Sequence, residues 1–259
     1  MRVRSLLILW LLVSISLFAQ VEMKIRNEIR AANDELIEIY GFQVRYNLTI
    51  LTGQGHEQPA AIDDNGMYQI FLYTSNFRDG VARHELAHVY FFEYLRKKGS
   101  SPETIPLWYH ELIAEGFQNL RSRSGRPPLR SGFFDFTVSI KNYPPEKDRS
   151  VFYGAVESFA GFLLSRFDYE NLLHLVDEFS SSGDMNSSFK AIFGSSLDNL
   201  IIKWRVLFLL PYSPFLVGVV IFLYLLIGRR ERYWRQFPLD PLNPESLKRG
   251  ESGEIDQKS

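Results

Sequence analysis

Residues 84–88 read His-Glu-Leu-Ala-His, and this is the stretch whose residue types and spacing could do chemistry. On a helix, positions i and i+4 share a face. His84 and His88 can then aim imidazole nitrogens at one ion, each at about 2.0–2.1 Å from zinc. Glu85 follows His84 directly, so its carboxylate can reach a water on that ion. The ion lowers the pKa of the water toward about 7, and Glu85 can take its proton as it attacks a carbonyl. Val81, Leu86, Ala87 and Tyr90 make the surroundings apolar. A Glu flanked by two His in such surroundings is costly without a metal or partner to compensate.

A hydrolytic zinc site takes three protein ligands and keeps one position open. The segment from Trp108 to Phe117 reads Trp-Tyr-His-Glu-Leu-Ile-Ala-Glu-Gly-Phe and offers His110, Glu111 and Glu115. The chain has no cysteine, which excludes a Cys-ligated zinc, a thiolate nucleophile and a disulfide framework. With 29 basic and 30 acidic residues the formal net charge is -1, and nothing argues for a nucleic-acid partner.

The elements that must carry these residues follow from periodicity. Residues 22–40 have Ile25, Ile29, Leu36 and Ile37 at helical spacing, closed by Gly41. Residues 43–52 and 67–73 read as strands, separated by a loop at 53–66. Helices are expected at 79–98, bearing the His pair, and at 108–121. A long loop is expected at 122–150 and further helices at 151–167, 169–179, 187–193 and 197–204. This order predicts an α+β domain, a small antiparallel sheet beside a helical body.

Both ends of the chain look like membrane address signals. Arg2 and Arg4 precede a Leu-rich run to Phe18, with Ala19 at a cleavage position, so residues 1–19 are expected to be a signal peptide or an uncleaved anchor. Residues 206–228 form an uncharged stretch of 23 residues, long enough to span a bilayer, and Arg229, Arg230, Arg232 and Arg235 follow. The positive-inside rule places residues 229–259, a polar tail expected to be disordered, in the cytoplasm and residues 20–205 outside the membrane. The charged residues around His84 keep the motif out of any apolar run long enough to be intramembrane.

The pair of His84-Glu85-x-x-His88 and a later Glu115-Gly116-Phe117 resembles the gluzincin metallopeptidases, and within them the bacterial exported proteins called peptidase MA-like. The likeness extends in pattern over about residues 22–205, to a helix and strands before the metal helix and a Tyr-led helix after it. It implies a zincin-like fold, a zinc ion, a peptide or protein substrate, and the Glu of a Trp-x-x-Glu-Gly segment as third ligand. Here the two halves of that pattern part. Trp108 lies three residues before Glu111, whereas the Glu-Gly pair selects Glu115. We expect Glu115 as ligand, with Glu111 as alternative or as a carboxylate holding a ligand imidazole. The resemblance also implies Tyr153 as oxyanion donor, with His110 a weaker candidate. By analogy the strand at 67–73 is the edge that receives an extended peptide. His56 and His174 look incidental. Two other readings share the motif: a catalytically silent binding or assembly module, and a zinc hydrolase of a non-peptide bond.

Overall fold

Val81–Lys97, the element bearing the His pair, is a helix buried on most of its circumference, including Ala82, Leu86, Ala87, Val89, Tyr90 and Phe91. The reason is what surrounds it. In the computed structural model, which describes residues 2–53, 58–64, 66–75, 77–121, 128–138 and 141–236, this helix packs against an N-terminal helix, a sheet and the helix that follows it. The elements in chain order are α1 (Arg2–Tyr40), β1 (Tyr46–Leu51), β2 (Ala60–Asp64), β3 (Met67–Tyr73), α2 (Val81–Lys97), α3 (Leu107–Asn119), α4 (Glu146–Leu164), α5 (Tyr169–Ser182), α6 (Met185–Phe193), α7 (Leu197–Leu209) and α8 (Ser213–Gln236). A mostly helical chain with one small sheet is compatible with the α+β expectation.

The sheet is mixed rather than antiparallel. Its order is β1-β3-β2, with β1 parallel and β2 antiparallel to β3. The expected loop at 53–66 contains β2. The sequence Asn65-Gly66 between β2 and β3 is a strong hairpin signal, and Gly66 has φ 93°. Once that hairpin occupies one edge of β3, β1 takes the other edge and runs parallel to it. The expectation that residues 67–73 form a substrate-receiving edge therefore fails. β3 is the central strand, with Tyr68, Ile70 and Leu72 buried on alternate positions.

α1 fixes α2, the helix of the His pair, from behind. Ile25, Ile29, Ala32 and Leu36 form its buried stripe, at the spacing of one helix face. Glu28 on the same helix accepts from the N–H groups of Gly80 and Arg83, at 2.9 and 3.3 Å, and so caps the start of α2. Arg83 is buried, pairs with Glu35 at 2.7 Å and stacks over Phe117 at 4.2 Å. Gly80 enters α2 with φ 94°, a conformation that favours glycine, and a Cβ there would meet Gln118 Cγ at 2.8 Å.

Two units divide the chain, 1–208 and 209–259. In the first, residues 2–19 are the opening turns of α1, continuous with the part that packs on α2. The expected loop at 122–150 is shorter than anticipated. Short 3-10 turns at Leu129–Phe133 and Phe136–Val138 precede α4, which starts at Glu146. Phe136 is buried against Trp108, Phe159 and Trp204, which ties this segment to the core. In the second unit, the uninterrupted helix expected over 206–228 is divided at Leu210–Tyr212. Pro211 lacks the N–H a continuing helix needs, while Pro214 sits in the first turn of α8, where proline is tolerated. Among the described residues no single helix is long and apolar enough to cross a membrane; 197–215 and 217–227 pass that test only as a bent pair. Residues 229–236, expected to be disordered, complete α8, in keeping with their Arg, Glu and Gln content. The rest of the tail lies outside the described residues, as does His56.

Candidate metal centre

α2 and α3 supply the site between them. His84 and His88 stand one turn apart on α2, and their Nε2 atoms face each other at 3.2 Å. Glu111 projects from α3 so that its Oε2 lies 3.3 Å from His84 Nε2 and 3.7 Å from His88 Nε2. Tetrahedral ligands at about 2.05 Å from one zinc ion stand about 3.3 Å apart. The three observed separations match that edge length closely. Candidate ligand atoms of His84, His88 and Glu111 lie within 4.8 Å of one another.

Polar bookkeeping supports a cation here. Glu111 is almost wholly buried, and its Oε2 has no hydrogen-bond partner among the described residues. A buried carboxylate oxygen without a donor is costly. A cation placed between Oε2 and the two Nε2 atoms would satisfy all three lone pairs. The donor set of two imidazoles and one carboxylate suits zinc.

Glu115 sits elsewhere than expected. Its Oε1 is 3.5 Å from His84 Nδ1, on the far side of the imidazole from Glu111. A carboxylate there can orient the ring through Nδ1, which would leave Nε2 to a metal ion. Of the two carboxylates, Glu111 is the one that stands beside both Nε2 atoms, the place expected for Glu115. The reason lies in α3. Gly116, half of the Glu-Gly signal, is where α3 passes close to α5, and a Cβ there would stand 3.3 Å from Leu172. Tyr169 donates to Ile113 O at this crossing. Glycine at 116 stands at the helix crossing, while Trp108, packed on Phe136 and Phe189, lies three residues before Glu111, the carboxylate nearer the two Nε2 atoms.

Electrostatics in the cluster follow from burial. Burial opposes charge on His84, but the close contact with Glu111 and the charges of Glu115, Glu111 and Glu85 outweigh that and push it up to about 10. Burial pushes Glu115 up to about 8, aided by Glu157, Glu111 and Glu85. Glu111 is moved below the usual carboxylate range: burial works against this, and the two imidazoles overcome it. The metal-free cluster therefore holds protons that an ion would displace.

Glu85 lines the same cavity, which has a volume of about 900 Å³. It is buried, which raises its pKa, and it accepts a hydrogen bond from the Ala61 N–H of β2. Tyr153 on α4 also lines the cavity, as do Phe92, Ile105, Lys141 and Arg149. His110 faces it too, but its Nε2 meets Pro102 O at 2.9 Å and burial lowers its pKa to about 4, so it is neutral. Three contributors were not anticipated. Tyr143, in the expected long loop, donates to Glu111 Oε1 at 2.5 Å. Glu157, one turn beyond Tyr153 on α4, adds charge beside Glu115 and His84. The β2 segment brings Pro59, Ala60 and Ala61 to the cavity wall. Only the Asn65-Gly66 dipeptide signalled β2 in advance; Tyr143 carried no signal.

No family model, curated protein or solved structure matches the chain. The functional reading rests on the site itself.

Proposed function

We propose that this protein is a zinc-dependent hydrolase of the gluzincin type, a metallopeptidase resembling the peptidase MA-like group. The observation that carries the reading is the spacing of 3.2, 3.3 and 3.7 Å among His84 Nε2, His88 Nε2 and Glu111 Oε2, beside a buried Glu85 in one cavity. His84, His88 and Glu111 would hold the zinc, with Glu115 orienting His84. Bound there, zinc would supply an acidified water and a Lewis acid for the scissile carbonyl. Glu85 would take the water's proton and pass it to the leaving amine. Its raised pKa suits a group that must both accept and release a proton. Tyr153, held protonated by burial and the nearby carboxylates, would offer the oxyanion a donor.

A peptide substrate is supported by β2. It is an outer strand of the sheet, it borders the cavity, and its outer edge could pair with an extended chain. The exposed apolar side chains of α8, among them Phe215, Val220, Tyr224 and Ile227, support contact of residues 206–228 with a lipid bilayer. With the basic residues after them, they support a catalytic domain outside the cytoplasmic membrane and a cytoplasmic C-terminus.

Metal analysis of the purified full chain in detergent, paired with a peptide-library digest of wild type and Glu85→Gln, tests the proposal. One zinc per chain and cleavage lost in the variant are expected. Protein that takes up no metal sinks the zinc reading. Metal uptake without cleavage of any peptide favours the silent module, and cleavage of esters alone favours a non-peptide hydrolase.

A further inference from the structure

The two oxygens of Glu111 have different surroundings. Oε1 accepts from the Tyr143 hydroxyl at 2.5 Å. Oε2 has no hydrogen-bond partner among the described residues and faces the two imidazoles. Tyr143 comes from the segment between residue 141 and α4, and its residue as a whole is 44% exposed. Its hydroxyl end is sheltered enough that burial, then the charge of Glu111, raises its pKa and keeps the phenol protonated. The Tyr153 ring stands beside it, the two ring centroids being 6.2 Å apart.

Resting on the zinc reading above, we infer that Tyr143 is a positioning residue that makes Glu111 a one-oxygen metal ligand. With Oε1 tied, only Oε2 is offered to the ion. Two imidazoles and one oxygen leave the fourth tetrahedral place for water, the arrangement a hydrolytic site requires. Without the tie the carboxylate is free to turn both oxygens to the ion. The second oxygen then competes for the place of the water. The Tyr143–Glu111 bond thus ties the segment before α4 to α3.

Cobalt substitution tests this without relying on turnover. Four-coordinate cobalt absorbs visible light strongly, and a fifth ligand weakens and shifts the band. Full-length wild type, Tyr143→Phe and Tyr153→Phe are loaded with cobalt, and zinc affinity is measured alongside. Phenylalanine at 143 removes one oxygen from a half-exposed ring, so the fold is retained, as circular dichroism will register. The expected result is a weakened, shifted band in Tyr143→Phe, with the zinc dissociation constant raised about tenfold, the lower end of the loss found when a ligand's hydrogen-bond partner is removed. Tyr153→Phe keeps the Tyr143–Glu111 bond and should keep the wild-type band. A wild-type band in Tyr143→Phe, whatever its affinity, overturns the inference, as does an equal loss in Tyr153→Phe. Wild type that takes up neither cobalt nor zinc instead overturns the zinc reading on which this rests.

Discussion

Glu115 Oε1 and His84 Nδ1 lie 3.5 Å apart, on the side of the imidazole away from His88 and Glu111. One turn of α3 therefore provides two carboxylates for one histidine, each addressing a different ring nitrogen. In the proposed zinc site Glu111 would share the ion's space with Nε2, and Glu115 would set which nitrogen bears the proton.

That division of labour predicts unequal losses. Glu111→Gln removes a ligand charge and should weaken zinc binding more than any loss at Glu115. Glu115→Gln should cost roughly 10–100-fold, as for other partners that orient ligand imidazoles. Competition against a chelating dye measures both. A larger loss at Glu115 than at Glu111 would show that the assignment is reversed.

Glu85 is outside the ligand trio. Glu85→Gln should retain one zinc per chain while hydrolysis falls by about 10²–10⁴-fold, the usual contribution of a general base. Zinc content by metal analysis and rate on the best library peptide separate the two effects. Full activity in the variant would remove Glu85 from the mechanism.

Stability of the metal-free protein should fall as pH rises from about 6.5 to 10. His84 has its folded pKa raised to about 10, so the folded state holds a proton there that the unfolded chain gives up above about 6.5. Glu115, raised to about 8, contributes in the same direction between its ordinary value near 4.5 and 8. His110, lowered to about 4, acts oppositely, but only below about 6.5. Zinc replaces protons, so its stabilising effect should grow over the range in which the metal-free protein weakens. Thermal melts with and without chelator at pH 6.5, 8 and 9.5 will check this. A flat or rising metal-free melting temperature is inconsistent with protons shared by these groups.

Gly80→Ala should destabilise the fold by about 1–2 kcal/mol, the cost of a left-handed conformation for a residue with a Cβ. The added carbon also meets Gln118 Cγ at 2.8 Å, a flexible side chain that can move aside. Because Gly80 opens the helix that bears His84, zinc affinity should fall with stability. Denaturant titration gives the first quantity and dye competition the second. A neutral substitution would mean that the entry to α2 relaxes without strain.

Local patterns made much of this legible from sequence. The i,i+4 imidazoles needed only a helix, and the apolar spacing at 81–95 provides one. Trp108 pointed to Glu111, yet the Glu-Gly pair pointed to Glu115. One glycine can mark either a ligand motif or a helix crossing, and sequence does not distinguish them. Pairing partners were less visible. β1 and β3 read correctly as strands, but their parallel pairing depended on β2, a five-residue strand with two Asp at its end. Tyr143 could not be found, because its role depends on where an irregular segment crosses α3. At the C-terminus, composition indicates an apolar stretch, while the break at Leu210–Tyr212 follows from a single proline, Pro211, inside it.

The bond from Glu28 to the first N–H groups of α2 sets a limit on processing. If an export peptidase cuts near Ala19, the new N-terminus lies about two helical turns before Glu28. Trimming that stops there leaves the clasp whole. Trimming into the next turns would strip the carboxylate from Gly80 and Arg83 and, further on, the partner of the buried Arg83 at Glu35. The maturation point of the chain and the integrity of a histidine more than fifty residues later are thus one mechanical question.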